Sequence, residues 1–274
     1  QKLQLSPKKS LDLKSWNQFL EKFKNPKHKI KIGLVGKYVE LQDSYKSILE
    51  SLIHAGAINE TEIDIISIHS EHLEEGAVTS QLEGLDGLIV APGFGERGIE
   101  GKISAIAHAR SQKLPFFGIC LGMQMAVIEY ARNHVGLADA NSTEMNPDCT
   151  NAVIDLMESQ KSISDKGGTM RLGAWDCELE PNSLVAKAYQ SKKISERHRH
   201  RYEFNNEYTD QIFDDKFTIA GTNPETGLIE IIEYKDHPWF VGVQFHPEYK
   251  STVSNPHPLF LAFVKASLAY KSNQ

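Results

Sequence analysis

Between Lys29 and Arg132 the chain alternates short apolar runs with amphipathic stretches, and that alternation leaves it few folds to adopt. KIKIGLVG (29–36), TEIDIISI (61–68), DGLIVAP (86–92) and LPFFGI (114–119) read as strands. Among and after them lie three helical patterns: QDSYKSILESLIHAG (42–56), EGKISAIAHARSQ (100–112) and LGMQMAVIEYAR (121–132). In the first of these Tyr45, Ile48, Leu49, Leu52 and Ile53 recur at helical spacing. Nearly continuous apolar strands in a β-α-β-α order predict an α/β fold, a mostly parallel open sheet flanked by helices. The second half is richer in strands: RLGAWDCELE (171–180), SERHRHRYEFN (195–205), FTIAGT (217–222), LIEIIEY (228–234) and WFVGVQF (239–245). Additional antiparallel strands are expected there, with ESQKSISDKGG (158–168) as a polar loop and HPLFLAFVKASLAY (257–270) as a closing helix.

Residues 1–28 stand apart, rich in lysine and marked by Pro7 and Pro26. Leu13, Trp16, Phe19, Leu20 and Phe23 fall at helical spacing, with Ser10 as an expected N-cap, so one amphipathic helix and a linker are predicted. Its apolar face suits packing on its own domain and docking on a neighbour equally. The formal charge of −6 over 274 residues lacks the positive field that non-specific nucleic-acid binding requires. No run approaches the ~18 apolar residues of a membrane span, and the N-terminus carries no signal-peptide apolar region. Cys120, Cys149 and Cys177 are 29 and 28 residues apart. With no CxxC pair, a structural zinc site is not expected, and sparse, odd cysteines fit a reducing compartment such as the cytoplasm.

Three motifs carry chemistry. G-I-C-L-G (118–122) sits between an apolar strand and a helix, the arrangement of a nucleophile elbow with Cys120 as nucleophile. The helix that follows would direct its N-terminal amides and positive dipole end at the sulfur, favouring thiolate. Read by itself, the string also fits a buried structural cysteine beside a packing glycine. Q-F-H-P-E (244–248) ends a strand, where sites gather in open parallel sheets. His246 there suits a general base and Glu248 the group that orients it; a surface His-Pro-Glu turn is the plainer alternative. A-P-G-F-G-E-R-G (91–98) follows another strand. The backbone N–H groups of Gly93 and Leu121 are expected to form an oxyanion hole, Pro92 having no N–H to offer; a phosphate loop or a plain turn is the alternative reading.

Together the motifs resemble the class I (triad) glutamine amidotransferases. More closely, V-G-K-Y (35–38), P-G-F-G-E-R-G (92–98), G-I-C-L-G-M-Q (118–124), A-N-S-T-E (140–144), R-H-R-H-R-Y-E (197–203) and H-P-W-F-V-G-V-Q-F-H-P-E (237–248) look like the glutaminase domains of CTP synthases. The resemblance runs from about Lys29 to Tyr270. It implies a glutaminase domain over 29–274, preceded over 1–28 by the linker from an N-terminal synthetase domain. It implies a Cys120–His246–Glu248 triad, with L-glutamine held by Gly93, Leu121, Gly122, Met123, Gln124, Glu144 and Arg201. Glu144 would meet the substrate ammonium and Arg201 its carboxylate. GTP is implied as an allosteric activator, with Lys37, Lys46 and Arg97 of a lid-like loop 95–101 as candidates. ATP and magnesium are expected only in the synthetase domain, where ammonia would aminate UTP.

Two departures qualify the likeness. Proline stands where the family loop often has its first glycine, although Gly93, before Phe94, remains. No G-x-x-x-x-G-K-[ST] occurs, so the chain is expected to release ammonia without making CTP. Arg197, Arg199 and Arg201 should share one strand face and His198 and His200 the other; neither a metal nor a nucleic acid is expected at them. Cys149 and Cys177 are expected to be structural. A γ-glutamyl peptidase and a non-catalytic regulatory module remain as rivals, and a glutaminase assay separates them.

Overall fold

The computed structural model describes residues 12–41, 43–73, 78–156 and 170–274. These form a nine-stranded sheet and a smaller three-stranded one. The parallel half of the large sheet contains β1 (His28–Gly36), β2 (Thr61–His69), β3 (Gly87–Val90), β4 (Phe116–Ile119) and β12 (Phe240–Val243), in the order β2-β1-β3-β4-β12. Four antiparallel strands extend it: β11 (Ile229–Tyr234), β10 (Phe217–Thr222), β7 (Arg171–Leu179) and β8 (Lys193–His200). The expected α/β architecture with added antiparallel strands is therefore observed.

Burial on both faces explains the unbroken apolar strands. Leu88, Val90 and Phe116 point to one side, into a core shared with α3 (Val78–Leu82), α4 (Ile99–Ser111) and α5 (Leu121–Tyr130). Ile89, Phe117 and Ile119 point to the other, against α2 (Lys46–Ile58) and the closing helix Pro258–Ser272. Alternate side chains thus enter two cores, and neither face is left polar. Among the described residues no helix is long and apolar enough to cross a membrane.

Helix α1 (Lys14–Lys24) packs one residue of its apolar face on its own domain. Phe19 is buried and packs against His54 of α2, ring centroids 6.4 Å apart, whereas Leu13, Trp16 and Phe23 stay exposed. Ser10 and the segment 158–168 lie outside the described residues; the carboxylate of Asp12 accepts a hydrogen bond from Lys14 N–H at 3.0 Å.

Three expectations are corrected. The strand expected over 195–205 breaks at Arg201: β8 ends at His200 in the large sheet, and β9 (Tyr202–Phe204) joins β5 (Asn141–Ser142) and β6 (Ala152–Leu156) in the small one. The loop expected over 95–101 ends early, because Ile99 already opens α4. Gly101 is locked there: a Cβ on it would lie 1.8 Å from the Ser70 carbonyl oxygen. Helix α5 gives way at Ala131 to a π turn that ends at Gly136, φ 89°.

Candidate active site

Strands β4 and β12 are parallel neighbours with Gly118 opposite Gly242, so the residues that follow them emerge side by side at the carboxyl edge of the sheet. Cys120 follows β4 with φ 53° and ψ −104°, a conformation that non-glycine residues avoid and that persists only where the surroundings impose it. The surroundings are close. A Cβ on Gly122 would stand 2.3 Å from the Val90 carbonyl oxygen, and the Cys120 N–H is held by the Val243 carbonyl at 2.7 Å. Helix α5 starts at Leu121, whose N–H, in the first turn, has no partner within the helix.

From the end of β12 comes His246, with its N–H bonded to the Arg197 carbonyl of β8 at 2.8 Å. Its Nδ1 meets Glu248 Oε1 at 2.7 Å, and its ring stacks on Tyr249 with centroids 5.1 Å apart. Burial would lower the pKa of His246, but the Cys120 sulfur and the Glu248 carboxylate outweigh it and push the value up to about 11. Both groups favour the protonated imidazole, the charge state a Cys–His nucleophile needs. Cys120, His246 and Glu248 are all buried.

Gly93 lies beside the elbow, its Cβ position 3.5 Å from Leu121 Cδ2 and 3.6 Å from Lys102 Nζ. Gly93 and Leu121, the residues expected to supply the oxyanion donors, are therefore neighbours. Phe94, Glu144, Met170, Arg199, Arg201 and Tyr202 line a cleft of about 230 Å³, and Glu144 Oε1 accepts from Gly95 N–H at 2.9 Å, tying that cleft to the oxyanion loop. Met123 is buried in α5. Gln124 lies deeper than a surface contact, its amide nitrogen bonded to the Tyr202 carbonyl (2.8 Å) and to Gln244 Oε1 (3.1 Å).

The candidates for a nucleotide effector divide. Lys37 and Arg97 approach the Tyr38 ring at 5.8 and 5.7 Å. Lys37 Nζ also donates to the Phe94 carbonyl, and Arg97 pairs with Glu71 at 2.9 Å. Lys46 opens α2 and is exposed. On β8, Arg197 and Arg199 face outward while His198 and His200 face in and hydrogen-bond ring to ring at 2.8 Å. Burial holds His200 down to about 3. Among the described residues no group of three or more His, Cys, Asp or Glu could hold a metal. Cys149 is half-buried and Cys177 buried, both free thiols.

Two residues escaped the sequence reading. Lys102 is fully buried in α4 under the oxyanion loop, donating to the Ala91 carbonyl at 3.2 Å, and burial lowers its pKa to about 7. Gln244 is fully buried, and its amide nitrogen lies 3.6 Å from Cys120 Sγ. A lysine inside a helix and a glutamine ending a strand carry no local signal of such positions. The Q-F-H-P-E string was the available clue for Gln244.

A strained cysteine at a strand–helix elbow, a His–Glu pair from the next strand and a glycine loop beside the elbow define a cysteine-dependent amidotransferase site on an α/β sheet. The chain belongs to the class-I glutamine amidotransferase family, whose model matches residues 40–266. Within that family the likeness is to CTP synthases. That of Flavobacterium psychrophilum is 62% identical over 271 residues, 99% of this chain and 50% of that protein. That of Christiangramia forsetii is 60% identical over 273 residues, 100% of this chain and 50% of that protein. The chain spans about half the length of the curated relatives it matches. A solved structure, the Trypanosoma brucei CTPS glutaminase domain with bound acivicin, superposes with a TM-score of 0.81 at 39% identity, covering 87% of this chain and 93% of that one.

Proposed function

We propose that this chain hydrolyses L-glutamine to glutamate and ammonia, as the glutaminase half of a CTP synthase. Cys120 thiolate attacks the side-chain amide carbon, and the oxyanion that forms is met by the N–H groups of Gly93 and Leu121. His246, oriented by Glu248, gives its proton to the departing amine, leaving a γ-glutamyl thioester. It then takes a proton from the water that cleaves the thioester, regenerating the thiolate–imidazolium pair. Glu144 and Arg201 hold the ammonium and carboxylate of the substrate.

In this reading the ammonia passes to a synthetase domain outside these residues, which binds ATP and magnesium and aminates UTP. GTP, implied by the resemblance to CTP synthases, acts as the activator, with Lys37, Lys46 and Arg97 as its candidate contacts; Lys37 and Arg97 both approach the Tyr38 ring. The observation that carries the reading is the strained Cys120 beside a buried His246–Glu248 pair. Two measurements test it: ammonia release from glutamine, and intact mass after incubation with acivicin. One adduct, absent in Cys120→Ala together with ammonia release, is expected. A Cys120→Ala chain that still released ammonia at the parent rate would overturn the mechanism.

A further inference from the structure

Behind the nucleophile, two buried glutamines are joined in a fixed direction. The Tyr202 carbonyl oxygen can only accept, so the side-chain group of Gln124 that meets it at 2.8 Å is the amide nitrogen. That same nitrogen meets the next side chain, so what faces it at 3.1 Å is the carbonyl oxygen of Gln244. The Gln244 NH2 is then forced to the other side, where Cys120 Sγ lies at 3.6 Å. Turning either amide over would set two donors, or two acceptors, against each other, and neither side chain has water to turn to, Gln124 being 3% and Gln244 0% exposed. The backbone fixes the second glutamine as well: Gln244 N–H donates to the Glu230 carbonyl at 2.8 Å.

We propose that Gln244, its amide oriented by Gln124 and Tyr202, is a positioning residue that donates a hydrogen bond to the Cys120 sulfur, holding it as a thiolate aimed at the substrate. The inference rests on the glutaminase reading for its consequence in turnover, but not for the contact itself. An amide N–H bonded to a sulfur anion favours the anion over the neutral thiol. It also gives the sulfur an anchor that removes no proton from it. The charged and titratable groups around this centre are His246 with Glu248 behind it, Lys102 under the oxyanion loop, and His198 and His200, which feel the charges of His246 and Arg171.

The test compares the parent chain with Gln244→Met, which keeps the length and loses the donor, and Gln244→Glu, which keeps the shape and adds a negative charge. Alkylation of Cys120 by iodoacetamide is followed from about pH 5 to pH 9, where thiolate content sets the rate. Glutamine turnover is measured in parallel. The expected result is an alkylation profile displaced to higher pH in both variants, more in Gln244→Glu, with kcat down about 10- to 100-fold and KM within about two-fold, the size of one lost hydrogen bond to a charged group. Unmoved profiles with unchanged kcat in variants of parental melting temperature would overturn the proposal. If Gln244→Met fails to fold, Gln244→Glu decides, because an unshifted profile there is equally fatal. Should the parent chain prove to have no glutaminase activity, the alkylation comparison still stands, which separates failure of this proposal from failure of the functional reading.

Discussion

Gly118 and Gly122 approach so closely across the elbow that a Cβ on Gly118 would lie 2.7 Å from the Gly122 carbonyl carbon and oxygen. The two glycines of G-x-C-x-G therefore do different work from the cysteine between them: they let helix α5 start against β3 and β4. Gly122→Ala should cost about 1–3 kcal/mol, because its methyl group meets the Val90 backbone and not a yielding side chain. The same shift would move Leu121 N–H and Cys120. Denaturant unfolding and ammonia release should fall together, and a fully active, fully stable Gly122→Ala would show that the elbow has slack.

The strain at Cys120 has its own signature. At φ 53° alanine is disfavoured as cysteine is, whereas glycine is not. Cys120→Gly should be more stable than Cys120→Ala by about 1 kcal/mol, the reverse of the order in a relaxed helix. Both should lose turnover by several powers of ten, since the triad acts as a unit. Thermal melts of the two variants check it.

Cys120, His246 and Glu248 were legible as candidates because each sits in a local string at the end of an apolar strand. Sheet topology alone brings the ends of β4 and β12 together. The break at Arg201 was not legible. R-H-R-H-R-Y-E alternates without a turn residue, and the change of sheet depends on pairing with β6, a short strand of mixed burial. Nor could spacing decide which apolar residues of α1 find a partner. Phe19 and Trp16 look equivalent in sequence, and only the position of α2 buries one of them. Gln244 and Lys102 matter through what lies across from them, which no single segment contains.

Arg201 stands where the large sheet hands the chain to the small one, lining the same cleft as Glu144. Arg201→Ala should raise the glutamine KM by about 10- to 100-fold, the loss expected when a charged ligand group is left without its partner. Arg201→Lys should recover only part of this, because an ammonium cannot reproduce a two-pronged guanidinium contact. Steady-state kinetics on glutamine measure both, and an unchanged KM in Arg201→Ala would remove Arg201 from the site.

Lys102 predicts a pH dependence of stability with a definite sign. Its folded-state pKa of about 7 lies below the ordinary lysine value of 10.5 because burial disfavours the ammonium, with Lys37 adding like charge and Cys120 partly opposing both. Between those two values the unfolded chain binds more protons than the folded one, so this residue makes stability rise with pH across that window. Below about 7 both states are protonated, and the cost of burying the charge is present in full. Above about 10.5 both are neutral and the cost is gone. Lys102→Met, of similar length and uncharged, should therefore stabilise the fold by about 1–3 kcal/mol near pH 6, less the hydrogen bond lost to the Ala91 carbonyl. Its advantage should shrink steadily as the pH approaches 10. Urea unfolding of the two chains at a series of pH values measures the difference directly, and a gain that stayed constant or grew with pH would show that Lys102 is not buried as a cation.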